Sequence, residues 1–365
     1  MNKNLELMNT LKNDQSQLVK PLVCVRSITY NHAPYILDAM NGFCMQKTSF
    51  PFVCAVIDDC STDGEQEVIS NYLHEHFDLE DQSVARYEET DDYKLIYARH
   101  KENHNCFFVV LYLKYNHYSI GKGHLKNQYI KEWYDSAKYI APCEGDDYWI
   151  DPLKLQKQVD VMEKHPECTM CCSNGFSFSE ILKTNTIINP IPVEKSRFLS
   201  THEVLLEENA LIPTCSMCYR HELLDSMPSI FKNLPVGDRP IRMWCAINGY
   251  LYYHQEPLIT YRFGAVECYT QRVKKNNDYA KRVLNGMLVF FNNFDEYTKY
   301  KYHSEVEYMK NRERYVYFQN TANFKGIITA KHLNTYSFCK RNMIRLKCLV
   351  KLIPGVYVVY KRLNS

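Results

Sequence analysis

Three carboxylates fall within four residues at Glu144-Gly-Asp-Asp147, directly after the short apolar run Tyr139 to Pro142. Carboxylates crowded at a strand end repel one another unless a cation sits among them. The cation that suits them is a hard divalent ion, which takes oxygen ligands and often completes its shell with phosphate oxygens. Gly145 inside the cluster permits a sharp turn and close approach of another group. A solvated acidic turn is the alternative reading of the same residues. Two further polar groups bear on the choice: Thr29, Tyr30 and Asn31 follow the apolar run Leu22 to Ile28, and Asp58 and Asp59 follow Phe52 to Ile57. Asp238, between Gly237 and Pro240, is isolated in sequence and reads as a loop aspartate.

The elements that must position these residues are legible as hydrophobic patterns. Leu22 to Ile28 and Phe52 to Ile57 are β-branched, apolar runs of strand length. Between them Ile36, Leu37, Met40, Phe43 and Cys44 recur at helical spacing. Strand, helix and strand over about forty residues make a βαβ unit, hence a parallel sheet with a right-handed crossover. Open α/β sheets bind ligands beyond the carboxyl ends of their strands. The strand before Glu144 places the acidic cluster on that same edge. Asp151 before Pro152 reads as an N-cap opening a helix from Leu153 to Lys164, and Trp149 as packing beneath the cluster. Asp58 and Asp63 also suit turns or caps. Cys168 to Phe178, Thr214 to Arg220 and Tyr250 to Tyr261 read as strands, Leu125 to Trp133 as a helix, and Thr201 to Glu208 as a short helix capped by its threonine. Ser83 to Tyr118, dense in Tyr, His and Asn, reads as a lid, an acceptor surface or a solvated insertion.

Four blocks in order resemble the signature motifs of family 2 glycosyltransferases of the GT-A fold: Ser27-Ile-Thr-Tyr-Asn-His32, Ile57-Asp-Asp-Cys-Ser-Thr-Asp-Gly64, Glu144-Gly-Asp-Asp-Tyr-Trp-Ile-Asp-Pro152 and Phe231-Lys-Asn-Leu-Pro-Val-Gly-Asp-Arg-Pro240. The resemblance runs from about Pro21 to Arg262. It implies a Rossmann-like, mainly parallel sheet flanked by helices, with a helical C-terminal extension. It implies sugar transfer, with inversion, from a nucleotide-diphosphate donor to a hydroxyl of a glycan or lipid-linked acceptor. On this resemblance Thr29, Tyr30 and Asn31 line the nucleotide, Tyr30 stacking on the base. Asp59 accepts a hydrogen bond from the base with Asp58 supporting it. Asp146 lies near the sugar or ribose, Asp147 holds Mn²⁺ or Mg²⁺, and Asp238 is the general base. The sequence departs from the family in one place: Tyr261-Arg-Phe-Gly264 lacks the histidine that often follows a Tyr-Arg pair and completes the metal shell.

Composition bounds the remainder. The 365 residues are 45% hydrophobic and 24% charged, ordinary for one or two globular domains. A formal net charge of +2 gives no basic field for nucleic acid. The expected organisation is a polar leader over residues 1–20, a GT-A domain over 21–270 and a helical extension over 271–365. Residues 1–20 lack the apolar core of a signal peptide, and no run of 18 apolar residues occurs. The expectation is therefore a cytoplasmic protein whose 15 cysteines are reduced. Cys168-x-x-Cys171 and Cys215-x-x-Cys218 read as strand thiols pointing to opposite faces rather than as zinc ligands. Lys340 to Arg362 holds seven Lys/Arg and no acid among apolar residues. This composition suits either the inner face of an anionic membrane or a helix docked on the protein with its basic face in water. Two other functional readings compete: a non-catalytic module binding sugar nucleotides or glycans, and a nucleotidyltransferase. The latter usually needs a glycine- and Lys/Arg-rich loop after its first strand, and Ile28 to Pro34 has neither residue type.

Overall fold

The computed structural model describes residues 19–189, 196–207, 211–232, 234–265 and 269–352, and the chain divides into two compact units. The first is built from the chain up to Arg197 with Ile212–Asp225 and Tyr252–Phe263; the second from Phe198–Leu211, Ser226–Leu251 and the chain from Gly264 onward.

The described residues form twelve strands: β1 (Val23–Thr29), β2 (Phe52–Asp58), β3 (Ala85–Glu89), β4 (Tyr93–Arg99), β5 (Cys106–Leu113), β6 (Tyr139–Pro142), β7 (Tyr148–Trp149), β8 (Cys168–Ser179), β9 (Thr184–Ile187), β10 (Arg197–Leu199), β11 (Cys218–Arg220) and β12 (Tyr250–Phe263). The sheet order is β10-β12-β8-β11-β6-β1-β2-β5-β4-β3, with β7 on β12 and β9 on β8. Its centre, β6-β1-β2-β5, is parallel, and antiparallel ladders extend it on both sides. Every residue of β2 and β5 is buried, the continuous apolar pattern of strands covered on both faces. The crossover helix α1 (Ile36–Cys44) buries Ile36, Ala39, Met40 and Phe43 at helical spacing. Its Gly42 is required, because a Cβ there would come within 2.9 Å of the Trp149 backbone. Helix α2 (Glu65–His76) follows β2, and α3 (Leu125–Tyr129) and α4 (Lys131–Tyr134) precede β6. Helix α5 (Lys154–Lys164) follows the acidic cluster, with Asp151 accepting the Leu153 N–H at 2.6 Å.

Several local expectations are corrected. Ser83 to Tyr118 is neither lid nor loose insertion over most of its length; it supplies β3, β4 and β5, and only the loop after Leu113 leaves the sheet. The helix expected over Leu125 to Trp133 breaks at Ile130 into α3 and α4. Helix α6 (Thr201–Leu206) is capped by Ser200 in a capping box with Glu203, not by Thr201. Thr214 to Ser216 is a 3₁₀ turn, so only Cys218–Arg220 is strand there. The Cys168 and Cys171 sulfurs lie 3.9 Å apart and so do not point to opposite faces, although both residues belong to β8. Both thiols are buried, and no group of three or more metal-ligating side chains occurs among the described residues.

The second unit is mainly helical. Helices α7 (Glu222–Asp225), in the first unit, and α8 (Asp238–Asn248) lead to α9 (Tyr269–Lys275), α10 (Asn277–Tyr297), α11 (His303–Asn320), α12 (Phe324–Thr329) and α13 (Phe338–Leu352). Helix α10 buries Val283, Met287, Phe290, Phe291 and Phe294 along one face, and Phe231 packs edge-on against Phe290 at 5.5 Å. Residues 1–18 of the expected leader and 353–365 of the basic tail lie outside the described residues. Among the described residues no helix is long and apolar enough to cross a membrane.

Candidate functional site

Strand register, rather than any single motif, assembles the site. Thr29 at the end of β1 pairs with Asp58 at the end of β2, and the Asp59 N–H donates to the Thr29 carbonyl at 3.0 Å. On the other side β6 runs parallel to β1, and the Gly145 N–H donates to the Ile28 carbonyl at 3.1 Å. A Cβ on Gly145 would fall 2.3 Å from the Thr29 hydroxyl, so only glycine lets the acidic turn close on β1. Thr29, Asp58, Asp59, Asp146 and Asp147 therefore share one sheet edge, as their strands require.

Two loops at this edge are tied by a residue the sequence reading missed. Glu65, fully buried in the first turn of α2, accepts the Thr29 hydroxyl, the His32 N–H at 2.9 Å and the Ser61 hydroxyl at 2.8 Å. Asn31 adopts a left-handed backbone, φ 57°, and its side-chain oxygen accepts the Thr62 N–H at 2.8 Å. Asp63 closes the same lock, accepting the Ala33 and Glu65 N–H groups. Tyr30 stands half-buried between these anchors, with its backbone held on both sides.

The paired aspartates after β2 do different jobs. Asp58 is buried, accepts the Ser61 N–H and the Gln66 side chain, and burial pushes its carboxyl up to about 6. Asp59 has both oxygens engaged: Oδ1 accepts the His117 N–H at 2.8 Å, and Oδ2 accepts the Tyr118 N–H at 3.2 Å and the Lys126 ammonium at 2.6 Å. Burial draws the Lys126 ammonium down, and Asp59 opposes that shift. In this arrangement Asp59 anchors the loop after β5 rather than presenting an open acceptor. Breaking such a buried pair from one side costs about 3–5 kcal/mol.

The acidic turn is clamped by Arg262, near the end of β12. Its backbone N–H donates to Asp147 Oδ1 at 2.7 Å and its Nε to the Asp146 carbonyl at 2.8 Å. The two Nη groups reach Asp38, at 2.6 Å, and Glu180. The guanidinium also lies over Tyr35 at 4.7 Å and Tyr148 at 5.2 Å. Asp147 is 3% exposed, and burial, followed by the charges of Asp146 and Glu144, holds its carboxyl well above the usual carboxylate range. A desolvated carboxylate beside two further acids is the donor chemistry a hard cation offsets. Among the described residues no three such side chains are placed to hold an ion together, so a cation at Asp147, with Asp146 beside it, would need ligands from outside the chain. Arg262 stands directly before the place at which the sequence lacks a histidine. His254 is buried on β12 with its imidazole drawn down to about 4, and His221 bonds the Ala137 carbonyl; neither substitutes. Trp149 is buried and donates to the Cys215 carbonyl at 2.9 Å, as packing beneath the turn requires.

Asp238 belongs to the second unit, and the structure corrects its loop assignment: it is the first residue of α8. A carboxylate there is favoured by the helix N-terminus. Its Oδ2 lies 3.4 Å from Arg242 Nη2, which also donates to Glu207 at 3.0 Å. Glu207, buried and in a left-handed conformation at the end of α6, collects Arg239, Arg242 and Arg312. Burial would raise its carboxyl, but the three guanidiniums together hold it far below the usual range. Arg239 also pairs with Glu313 at 2.6 Å. The side chain of Asp238 remains 28% exposed at the rim of this lattice.

The architecture is a mixed α/β sheet flanked by helices, with a helical C-terminal part. It is the fold of TarS from S. aureus (residues 1-349), a solved structure that superposes over 91% of this chain and 81% of that one, with a TM-score of 0.50 at 16% identity. A mannosyltransferase from Pyrobaculum calidifontis, solved with GDP-Man and Mn²⁺, aligns over 97% of this chain and 89% of its own, with a TM-score of 0.48 at 14% identity. No protein-family model matches the chain. Uncharacterized proteins of Mycobacterium tuberculosis and Mycobacterium bovis are 31% identical over 247 residues, 65% of this chain and 57% of theirs. The chain thus spans little more than half the length of these curated relatives.

Proposed function

We propose that the protein is a glycosyltransferase of the family 2 type, moving a sugar from a nucleotide-diphosphate donor to a hydroxyl of a glycan or lipid-linked acceptor with inversion. The observation that carries this reading is the convergence of Thr29, Tyr30 and Asn31, Asp58 and Asp59, and Asp146 and Asp147 on one carboxyl edge of a parallel sheet. Tyr30 offers an aromatic face to a base, an interaction worth about 1–3 kcal/mol. Glu65 and Asp63 fix the loop that carries it, so little ordering is left for binding. Asp59 takes part through the Asp59–Lys126 anchor, which shapes the loop beside the base. Asp146 and Asp147 are the residues for Mn²⁺ or Mg²⁺, which supplies neutralisation of the leaving diphosphate when bound. Asp238 is the proposed base, its carboxylate oriented by Arg242 to take the acceptor hydroxyl proton. A direct displacement needs no covalent intermediate.

A thermal-shift panel of nucleoside diphosphates and nucleotide sugars, with and without Mn²⁺, tests the reading. A ligand at 100 times its dissociation constant adds about 2.7 kcal/mol of stability. Tyr30→Ala should weaken nucleoside and nucleotide-sugar binding alike. Asp147→Asn should remove the metal-dependent increment and leave free nucleoside binding nearly unchanged. Melting points unmoved by every uridine, guanosine, thymidine and cytidine form would count against a donor site.

A further inference from the structure

Helix α13 (Phe338–Leu352) has two faces that do different things. One face is packed: Cys348 is buried in a cluster with Tyr315, Ile327 and Leu333, and Ile344 packs against it. Arg345 reinforces this side by donating from Nε to the Ile328 carbonyl at 3.2 Å. The opposite face carries Met343, Leu346 and Val350, which with Cys339 follow the i, i+4, i+7, i+11 spacing of a single helical stripe. These apolar side chains stand in solvent at 50%, 62% and 42% exposure. Lys340, Lys347 and Lys351, at i, i+7 and i+11, lie along one border of the stripe with the packed Ile344 at i+4 between them, and Arg341 and Arg345 add to the helix, which contains no acidic residue.

We propose that this face of α13 is a docking surface for an anionic lipid bilayer, with the apolar stripe entering the headgroup–acyl boundary and the lysine row meeting lipid phosphates. The charge pattern selects the occupant. A protein groove would satisfy the apolar stripe alone, whereas a border of lysines on a helix without any acid complements a surface of like negative charges. Membrane attachment and docking on the fold, alternatives at the level of sequence, are here the work of opposite sides of one helix. The packed side fixes the helix on α11 and α12, so the exposed side is presented already ordered.

The test uses the full chain and sedimentation with two sets of vesicles, phosphatidylcholine alone and phosphatidylcholine with a third phosphatidylglycerol. The protein should pellet with the anionic vesicles, about tenfold or more tighter than with the neutral ones, and release as salt is raised. The combined Lys340→Gln, Lys347→Gln and Lys351→Gln variant should weaken this by on the order of 100-fold at low salt. The Met343→Ser, Leu346→Ser and Val350→Ser variant keeps every charge and should lose about tenfold or more. Met343, Leu346, Val350 and Lys347 lie off the packed face, whereas the Lys340 and Lys351 ammoniums stand 4.4 Å and 5.3 Å from the centres of the Tyr336 and Phe324 rings of the packed cluster. Melting points are therefore read beside binding, and Lys347→Gln alone, expected to weaken binding about fivefold, carries the charge test if the triple lysine variant melts lower. Three results would overturn the proposal: no pelleting of the parent protein with anionic vesicles, undiminished pelleting of both variants, or a self-association of the parent that the serine variant abolishes in the absence of lipid. The last would assign the stripe to a second copy of the chain.

Discussion

Asp238→Asn should abolish sugar transfer while leaving donor binding nearly intact. Asparagine keeps the size of the side chain and can still accept from Arg242, but it cannot take a proton from an attacking hydroxyl. Loss of a positioned general base costs about 10²–10⁴-fold in rate. The loss belongs in turnover, since the role proposed for this group is on the reacting hydroxyl rather than on the nucleotide. The substitution lies at the first residue of α8 with its side chain partly in solvent, so stability should change by no more than the modest contribution of a charge at a helix N-terminus. The measurement is turnover and donor affinity in parallel for parent and variant. Full turnover in the variant would remove Asp238 from the proposed chemistry without bearing on the proposed donor site.

The largest expected loss of stability comes from Glu207→Ala. Glu207 is buried and answers three guanidiniums from α8 and α11, with Arg242 itself only 5% exposed. Removing the carboxylate leaves those cations without their common partner, the situation in which breaking a buried pair costs about 3–5 kcal/mol. The pH dependence has a definite sign. The carboxyl is lowered in the folded state, so its contribution is fully present above the unfolded value of 4.5 and is lost as pH falls toward the folded value. Denaturant unfolding from pH 7 to pH 3 should therefore show a steeper acid loss in the parent than in the alanine variant. A variant as stable as the parent at pH 7 would contradict the role given to Glu207.

Much of the candidate edge is legible in sequence because each part of it is local. An apolar run ending in Thr-Tyr-Asn or Asp-Asp is at once a strand and its carboxyl end, and the βαβ rule then sets neighbours side by side. What stayed hidden are partners separated by long stretches of chain. Glu65 reads as an ordinary acid in the first turn of a helix; only the β1–β2 register puts it under Thr29 and His32. Lys126 gives no sign that it will be buried against Asp59, because the pairing depends on where the loop after β5 returns. Arg262 was noticed only for the histidine absent after it, whereas its guanidinium and backbone hold the acidic turn. One miss was avoidable: Ser200-Thr-His-Glu203 is a capping box readable from the sequence. The Thr214 turn followed from Pro213, whose carbonyl accepts the Ser216 N–H at 3.0 Å. For Asp238, the proline two residues on marks a first helical turn as readily as a loop.

A crystal structure of the protein with a nucleoside diphosphate and Mn²⁺ tests the central claim most directly. The base should lie against Tyr30, the diphosphate over the carboxyl ends of β1 and β6, and the ion within about 2.0–2.3 Å of an Asp147 oxygen, the distance range of hard cations on carboxylates. A different location would contradict the account. One competing place is a depression at the opposite end of β2 and β5, lined by Cys44, Gln46, His100, Asn103 and Pro152. Nucleotide density there, with the Asp146–Asp147 turn unchanged and free of metal, would mean that the carboxyl edge of this sheet is not the donor site.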